Sequence, residues 1–287
     1  MNRAQKFERA ILPESVRLCS GSLMIRHLLT VVFLSLWTLP ASILGEPAAG
    51  QALEAGANQA KDIQGEVIQL GLEDGPFTAI HRRHQRGEGR GGIVLLHDQG
   101  SSADSYEVIR PLRLGLARSG WDTLALELPA ARRSEKASDW RSRQSVIQAR
   151  LQAGLDWLKG RGQATRVVIA MGDTGAIALE IASAVPPGEL QAMVLVSTAI
   201  EPGDTTALAA LEKLKLPILD IHAERDRTAV VATAATRRAA AEKGGNEGYR
   251  QRTLPGSTAG FHRQEAALVA EIRAWLAATA GAPGIGN

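Results

Sequence analysis

Residues 168–176, Val-Ile-Ala-Met-Gly-Asp-Thr-Gly-Ala, are the stretch that decides the fold class of this chain. An apolar run ends there at Gly172, and Gly175 opens a second segment, rich in small apolar residues, that continues to Ala184. A short apolar run stopped by glycine is typical of a buried strand, and the segment after it has the composition of a helix. The stretch therefore predicts a strand, a tight turn and a helix, the unit from which parallel sheets are built.

The rest of the region 65–280 alternates in the same way, and a hairpin signal, Asp74-Gly75, separates its first two strands. The alternation predicts an α/β domain with a central, mostly parallel sheet and helices on both faces. The polar segment 130–143 is interpreted as a solvated loop, with a short lid as the alternative. Strands are predicted at 67–70, 77–80, 92–97, 123–128, 166–170, 192–196, 217–222 and 249–254, and helices at 106–118, 145–159, 175–184, 206–214, 230–242 and 264–278.

Composition narrows the class of protein. The chain has 287 residues, of which 45% are hydrophobic and 22% charged, and these values are ordinary for a globular protein. Its 33 Lys and Arg against 30 Asp and Glu leave a net charge of only +3, and aromatic residues make up only 4%. So small an excess and so few rings argue against a nucleic-acid partner.

The amino-terminal region carries the signature of export. Residues 28–39 are an apolar run, preceded by Arg26 and followed by small residues up to Gly45. The run is shorter than the roughly 20 residues of a membrane span, so it predicts a secretory signal peptide. We expect a periplasmic protein with no stable membrane span after removal of the leader; a retained anchor helix is the alternative. The predicted segments are an upstream extension at 1–23 before a start at Met24, a signal peptide at 24–45, a flexible lead-in at 46–64 and a loose tail at 281–287.

The turn at 168–176 resembles the nucleophile elbow of the α/β-hydrolase superfamily, which reads G-x-nucleophile-x-G between a strand and a helix. The resemblance extends over residues 67–278, and His97-Asp98-Gln99-Gly100 resembles the superfamily's H-G-x-G oxyanion turn with Asp98 in place of the first glycine. More narrowly, the chain is similar to an uncharacterised family of exported α/β-hydrolase-like proteins of Gram-negative bacteria, a domain of unknown function. The segments that carry this similarity are 97–100, 111–113, 120–124, 128–129, 216–220 and 272–276. The resemblance implies the α/β-hydrolase fold and an exported protein more than an activity.

In the elbow motif, taking Gly175 as the second glycine puts Asp173 at the nucleophile position. The resemblance then implies an aspartate nucleophile, as in the dehalogenase and epoxide-hydrolase branches of the superfamily. Thr174 is an alternative nucleophile, out of register by one residue, and the backbone N–H groups of Gln99 and Thr174 would form the remnant oxyanion hole. The simpler interpretation is that Asp173 only caps the following helix.

Asp226 follows the strand 217–222 and takes the position of the triad acid in the resemblance, with Asp220 and Glu224 as weaker alternatives. A carboxylate there would orient an imidazole. The alternative is a surface aspartate that pairs with a neighbouring arginine or starts the next helix, and such exposed pairs contribute little to stability.

The base is the position where the chain departs from the superfamily. Residues 255–261 resemble the turn that carries the superfamily's histidine, but Ala259 stands where the histidine belongs. His262, three residues further on, is the displaced candidate base; the alternative is a solvated surface histidine. An imidazole base typically contributes 10²–10⁴-fold to the rate, so its loss would remove most ester hydrolysis.

The remaining candidates concern the pocket. Asp98, Gln99 and Ser101 are expected near its mouth, and His97 is expected to hydrogen-bond the turn that Gly100 closes beside the pocket. The histidines show no metal-binding spacing, and the chain contains neither G-x-G-x-x-G nor a phosphate-binding loop motif. We therefore predict no metal and no cofactor.

These observations favour an exported α/β-hydrolase-like protein with a degenerate catalytic triad, which binds a small molecule or a cell-envelope component without turning it over. The alternative is an active periplasmic hydrolase, esterase-like or of the aspartate-nucleophile type, that uses Asp173, Asp226 and His262. A third hypothesis is an interaction protein that uses the fold only as a scaffold.

Overall fold

The computed structural model describes residues 63–131 and 136–280, all within one compact unit. The structure thus covers the predicted domain except for residues 132–135. None of the helices in this described part is long and apolar enough to cross a membrane. Four predicted segments lie wholly or largely outside the described residues: 1–23, 24–45, 46–64 and 281–287.

The described residues form eight strands and eight helices. The strands are β1 (Glu66–Leu70), β2 (Phe77–Arg82), β3 (Gly91–Leu96), β4 (Trp121–Leu126), β5 (Arg166–Met171), β6 (Ala192–Val196), β7 (Ile218–Arg225) and β8 (Tyr249–Thr258). The helices are α1 (Ile109–Ala117), α2 (Ala137–Arg141), α3 (Gln144–Gly160), α4 (Asp173–Ala184), α5 (Thr205–Lys213), α6 (Thr228–Ala232), α7 (Ala234–Lys243) and α8 (Glu265–Thr279).

All eight strands belong to one sheet with the order β1-β2-β4-β3-β5-β6-β7-β8. β2 pairs antiparallel with both β1 and β4, and the other neighbours are parallel. The predicted, mostly parallel sheet and the hairpin at Asp74-Gly75 are therefore confirmed. Because parallel strands point the same way, the turns after β3, β5, β6, β7 and β8 meet at one edge of the sheet.

Helices cover both faces of the sheet, and the alternation of side chains along β3 shows how. Ile93 and Leu95 pack in a cluster with residues of α1 and α8, whereas Val94 and Leu96 pack in a second cluster with residues of α3 and α4. All four side chains are fully buried. A strand apolar on both faces is what a sheet covered on both sides requires.

The solvated-loop interpretation of segment 130–143 is wrong for its second half. Residues 137–141 form the short helix α2, and its Trp140 is fully buried. The indole N–H of Trp140 donates to Thr174 Oγ1 at 3.1 Å, and the guanidinium of Arg141 pairs with Glu180 and Asp204. The buried Trp140 thus fixes this segment to α4, and the polar composition of the segment gives no sign of that burial.

Asp220, a weaker candidate for the triad acid, has a structural role inside β7 and lies apart from Asp226. Asp220 lies inside β7, is fully buried, and forms an ion pair with the equally buried Arg237 at 2.7 Å. Its carboxylate also accepts a hydrogen bond from the hydroxyl of Tyr249 on β8 at 2.6 Å. These contacts tie β7 to α7 and β8, so Asp220 stabilises the strand whose end carries Asp226.

Candidate functional site

A cavity of about 310 Å³ opens at the edge where the parallel strands end. Its wall includes residues from the turns after β3, β5, β6, β7 and β8: Asp98, Gln99, Gly172, Asp173, Ser197, Asp226, Arg227, Ala259 and His262. Among the sequence-predicted residues, Asp98, Gln99, Asp173, Asp226 and His262 are thus brought together. His97, Gly100 and Thr174 are not part of this wall.

The corner between β5 and α4 is formed by Gly172. Its backbone has φ 56° and ψ −132°, a region that side-chain-bearing residues rarely adopt. A Cβ atom placed on Gly172 would lie 2.0 Å from the carboxylate of Asp98, so neither the backbone nor the space admits a side chain. The sequence register had placed Asp173 at this corner; in the structure Asp173 is the first residue of the helix that follows.

The side chain of Asp98 fills the space in front of this corner. Its Oδ1 accepts hydrogen bonds from the backbone N–H groups of Gln99 and Asp173, both at 2.8 Å. In a hydrolase elbow, the oxyanion hole consists of the N–H of the residue after the nucleophile and an N–H of the turn after the third strand. Gln99 and Asp173 occupy these two places, so Asp173 rather than the predicted Thr174 supplies the second donor.

Two aspartates and one arginine set the electrostatics of the cavity. Burial raises the pKa of the Asp98 carboxyl, and the negative charge of Asp173 adds to this effect. The guanidinium of Arg227 opposes both, with its nitrogens 3.8 Å from Asp98 Oδ2 and 3.5 Å from Asp173 Oδ1. Arg227 therefore pairs with both carboxylates and offsets their mutual repulsion.

Asp226 lies at the cavity, where the sequence placed the acid, but its oxygens are used by its own turn. Oδ2 accepts hydrogen bonds from the Ala223 N–H at 2.9 Å and from the Ser197 hydroxyl at 2.5 Å. Oδ1 accepts from the Arg227 N–H at 2.8 Å. In the described residues, the hydrogen-bond partners of Asp226 thus come from backbone N–H groups and a hydroxyl, and none is an imidazole.

The two base candidates lie on the loop that follows β8. Ala259 is exposed at the cavity, and its N–H donates to the Arg225 carbonyl at 3.1 Å. His262 is also exposed at the cavity, and within residues 63–131 and 136–280 no hydrogen bond joins its ring to Asp173 or Asp226. Within the described residues, Asp173, Asp226 and His262 are therefore not joined in the hydrogen-bonded chain of nucleophile, carboxylate and imidazole that acyl transfer uses.

His97 and Thr174 form part of the scaffold behind the wall. The His97 ring donates from Nδ1 to the Asp98 carbonyl at 2.8 Å and accepts at Nε2 from the Leu128 N–H at 2.9 Å, so these two partners fix the orientation of the ring. The Thr174 hydroxyl is fully buried and donates to the His97 carbonyl at 2.8 Å. His97 therefore holds its own turn, as expected, and Thr174 is out of reach of the cavity.

Three residues of the site escaped the reasoning from sequence: Gly172 as the corner, Arg227 as the bridge between two carboxylates, and Ser197 as the partner of Asp226. Only Gly172 had a usable signal, because it immediately follows the apolar run. Ser197 adopts φ 52°, uncommon for a residue with a side chain, and nothing in the sequence indicates this.

Residues 46–139 and 130–278 match a family described as a protein of unknown function, DUF3530. The chain belongs to this family. The sequence has no significant match among curated proteins. The family supplies a common sequence pattern for the DUF3530 chain, but no activity.

Several solved structures similar to the DUF3530 chain are hydrolases. The esterase Pf2001 of Pyrococcus furiosus is 15% identical over 78% of this chain and 95% of its own, with a TM-score of 0.61. The dienelactone hydrolase of Anabaena variabilis is 20% identical over 76% of this chain and 98% of its own, with a TM-score of 0.60. XC6422 of Xanthomonas campestris, an α/β serine hydrolase without a lid, is 14% identical over 77% and 97%, with a TM-score of 0.61. These similarities confirm the predicted α/β-hydrolase fold.

In the part of the DUF3530 chain that the structure describes, no group of three or more His, Cys, Asp or Glu residues is arranged to hold a metal ion.

The contact between Gly172 and Asp98 predicts an energetic coupling. Gly172→Ala should lower the free energy of unfolding by about 1–3 kcal/mol from backbone strain and by a further ~1–3 kcal/mol from the clash with Asp98. In the Asp98→Gly background only the strain should remain. Urea denaturation of the two single variants and the double variant measures the difference. An equal cost of Gly172→Ala in both backgrounds would show that the Asp98 carboxylate does not occupy this space.

Proposed function

We propose that this DUF3530 protein is an exported α/β-hydrolase-like protein with a degenerate catalytic triad. It binds a small molecule or a cell-envelope component in the cavity at the strand ends and does not turn it over. The observation that carries the proposal is the corner itself: Gly172 presents no attacking atom, and the two N–H groups beside it hold the carboxylate of Asp98.

Acyl transfer needs a nucleophile, a base that deprotonates it and N–H groups that are free to bind the developing oxyanion. At the corner of this chain each requirement is unmet by the groups in place. Gly172 has no side chain, Ala259 has no ring nitrogen, and the donors on Gln99 and Asp173 already have a charged acceptor. Removal of a single oxyanion donor costs about 10²–10³-fold in rate, so losses at all three positions leave no useful activity.

The size and lining of the cavity support binding of a small polar ligand. Its volume of about 310 Å³ is at the lower end of the range for ligand pockets, about 300–1,000 Å³. Ser101, Ser105 and Gln99 add polar side chains to the wall beside Asp173 and Arg227. Such groups fix the orientation of a ligand by hydrogen bonds, which a closed apolar pocket does not provide.

The second candidate function is an active hydrolase with Asp173 as nucleophile, Asp226 as acid and His262 as base. The observation that favours it is that all three residues line one cavity. Against it, the carboxylate of Asp173 is paired with Arg227 at 3.5 Å, and Asp226 is bonded to its own turn. The alternative nucleophile Thr174 is fully buried.

An ester-hydrolysis assay separates the two candidates. The purified full chain should hydrolyse p-nitrophenyl acetate and butyrate no faster than buffer, because no group at the corner forms a covalent intermediate. Asp173→Ala, Asp226→Asn and His262→Ala should leave this background rate unchanged. Hydrolysis above background that Asp173→Ala or His262→Ala abolishes would sink the non-catalytic proposal.

A matched pair of tryptophan variants tests whether the cavity binds. Ala259 lines the cavity and Ala278 is an exposed residue of α8 outside it. Saturation-transfer NMR with a panel of small polar fragments should show fragments that bind the wild-type chain and Ala278→Trp but not Ala259→Trp, because the indole fills the cavity. If no fragment distinguishes the two variants, the cavity is not the binding site.

The export part of the proposal rests on the apolar run at 28–39 with its basic start and small-residue end. After expression in a Gram-negative host, mass spectrometry of the periplasmic fraction should find a chain that begins near Glu46. Leu34→Arg/Leu36→Arg, which interrupts the apolar run, should keep the protein in the cytoplasm. An unprocessed chain found only in the cytoplasmic fraction of the wild type would refute export.

A further inference from the structure

A second and larger cavity, of about 860 Å³, lies between α1 and α8. It shares no residue with the first cavity. Its wall includes Arg90 and Trp121, which stand where β3 and β4 begin, so it lies at the opposite edge of the sheet from Gly172. Four arginines rim it: Arg86, Arg90, Arg118 and Arg273; we call it the arginine cleft.

The charge of the arginine cleft is unbalanced. The wall contains four arginines and a single acidic residue, Glu265, whose carboxylate accepts a hydrogen bond from the Arg263 N–H at 3.0 Å. The lining residues therefore carry three more positive charges than negative ones. The net charge of the whole chain is also +3, so the remaining residues contribute equal numbers of positive and negative charges. Clustered guanidinium groups repel each other, and an anion placed among them relieves that repulsion.

Three of these arginines are available to a ligand. Arg86, Arg118 and Arg273 are exposed, and their guanidinium groups form no ion pair or hydrogen bond with the described residues 63–131 and 136–280. A guanidinium presents several donors in a plane that matches the oxygens of a carboxylate or a phosphate. The rim therefore offers the recognition chemistry of an acidic group.

The floor of the arginine cleft is apolar. The indole of Trp121, only 1% exposed, lies at its base, and Pro111 and Val269 add carbon surface from α1 and α8. The two helices approach closely at Gly115, where a Cβ atom would come within 2.5 Å of Val269. Ala266, Ala274 and Ala277, three small residues of α8, leave the space above this contact open. A wall that combines apolar side chains with exposed guanidinium groups matches a molecule with an acidic head and a hydrocarbon chain.

We propose that the arginine cleft binds a single-chain anionic amphiphile, with the acidic head held by Arg86, Arg118 and Arg273 and the alkyl chain laid on the floor between α1 and α8. The volume lies within the range of ligand pockets, about 300–1,000 Å³. This site is independent of the cavity at Gly172, so its test does not depend on the function proposed there.

Calorimetric titration of the full chain with three probes tests the class of ligand. Dodecyl phosphate, below its micelle concentration, should bind about tenfold or more tightly than dodecyl maltoside, which has the same chain without the charge. Inorganic phosphate should bind more weakly than dodecyl phosphate, because it cannot use the apolar floor. Equal affinity for the two dodecyl compounds would remove the role of the arginines, and equal affinity for the two phosphates would remove that of the floor; either result overturns the proposal.

Variants locate the binding. Arg118→Gln/Arg273→Gln should weaken dodecyl phosphate binding about tenfold or more, since charge-assisted hydrogen bonds are lost. The control Arg83→Gln/Arg252→Gln makes the same change of net charge at exposed arginines elsewhere and should bind like the wild type. An equal loss in both pairs would mean a general effect of charge and would refute a specific site.

A second pair on one helix tests the floor. Ala274 lies in the wall of the arginine cleft, and Ala278, one turn later, does not. Ala274→Glu should abolish dodecyl phosphate binding, because it places a carboxylate in the path of the chain and head, whereas Ala278→Glu should leave it unchanged. Binding that survives Ala274→Glu occurs elsewhere on the protein and would refute the proposal.

Discussion

The carboxylate of Asp98, held by two backbone N–H groups at a glycine corner, is the contact on which the candidate site depends. It joins the turn after β3 to the start of α4, two elements 75 positions apart in the chain. It also makes Gly172 obligatory, because no side chain fits in front of the carboxylate. The turn that an α/β-hydrolase uses to present a reacting atom is used here to bind a charge from the protein itself.

The residues around Asp98 offset its negative charge. Arg227 sits between Asp98 and Asp173, and its own N–H is bonded to Asp226. Asp98 is buried and lies next to a second carboxylate, and both conditions disfavour its charged form. The positive charge of Arg227 opposes them, and without it the pKa of Asp98 would rise further. Asp98, Asp173 and Asp226 thus form one structural network around Arg227, in which no hydrogen bond among the described residues joins Asp173 or Asp226 to the ring of His262.

Reasoning from the sequence predicted the sheet, the hairpin, the helices on both faces and the edge at which the cavity lies, because each follows from the period of apolar residues. It misplaced the corner by one residue, since Gly175 was taken as the motif glycine. Gly175 is glycine for a different reason: a Cβ atom there would come within 2.0 Å of Thr198 Oγ1. The burial of Trp140 and the bridge made by Arg227 were also missed, because both depend on contacts between distant parts of the chain that no local pattern encodes.

The carboxylate of Asp98 is covalently tethered beside the two N–H groups that it binds, and this affects any ligand that would compete for them. Since the carboxylate belongs to the residue just before Gln99, its effective concentration at the two N–H groups is far above that of any free anion in solution. A dissolved carboxylate or phosphate therefore meets a competitor that never diffuses away. Only a molecule that gains most of its affinity from the other walls of the cavity could displace it. Ligand selectivity at this edge of the sheet therefore comes from the residues that surround Gly172 rather than from the two N–H groups at the corner.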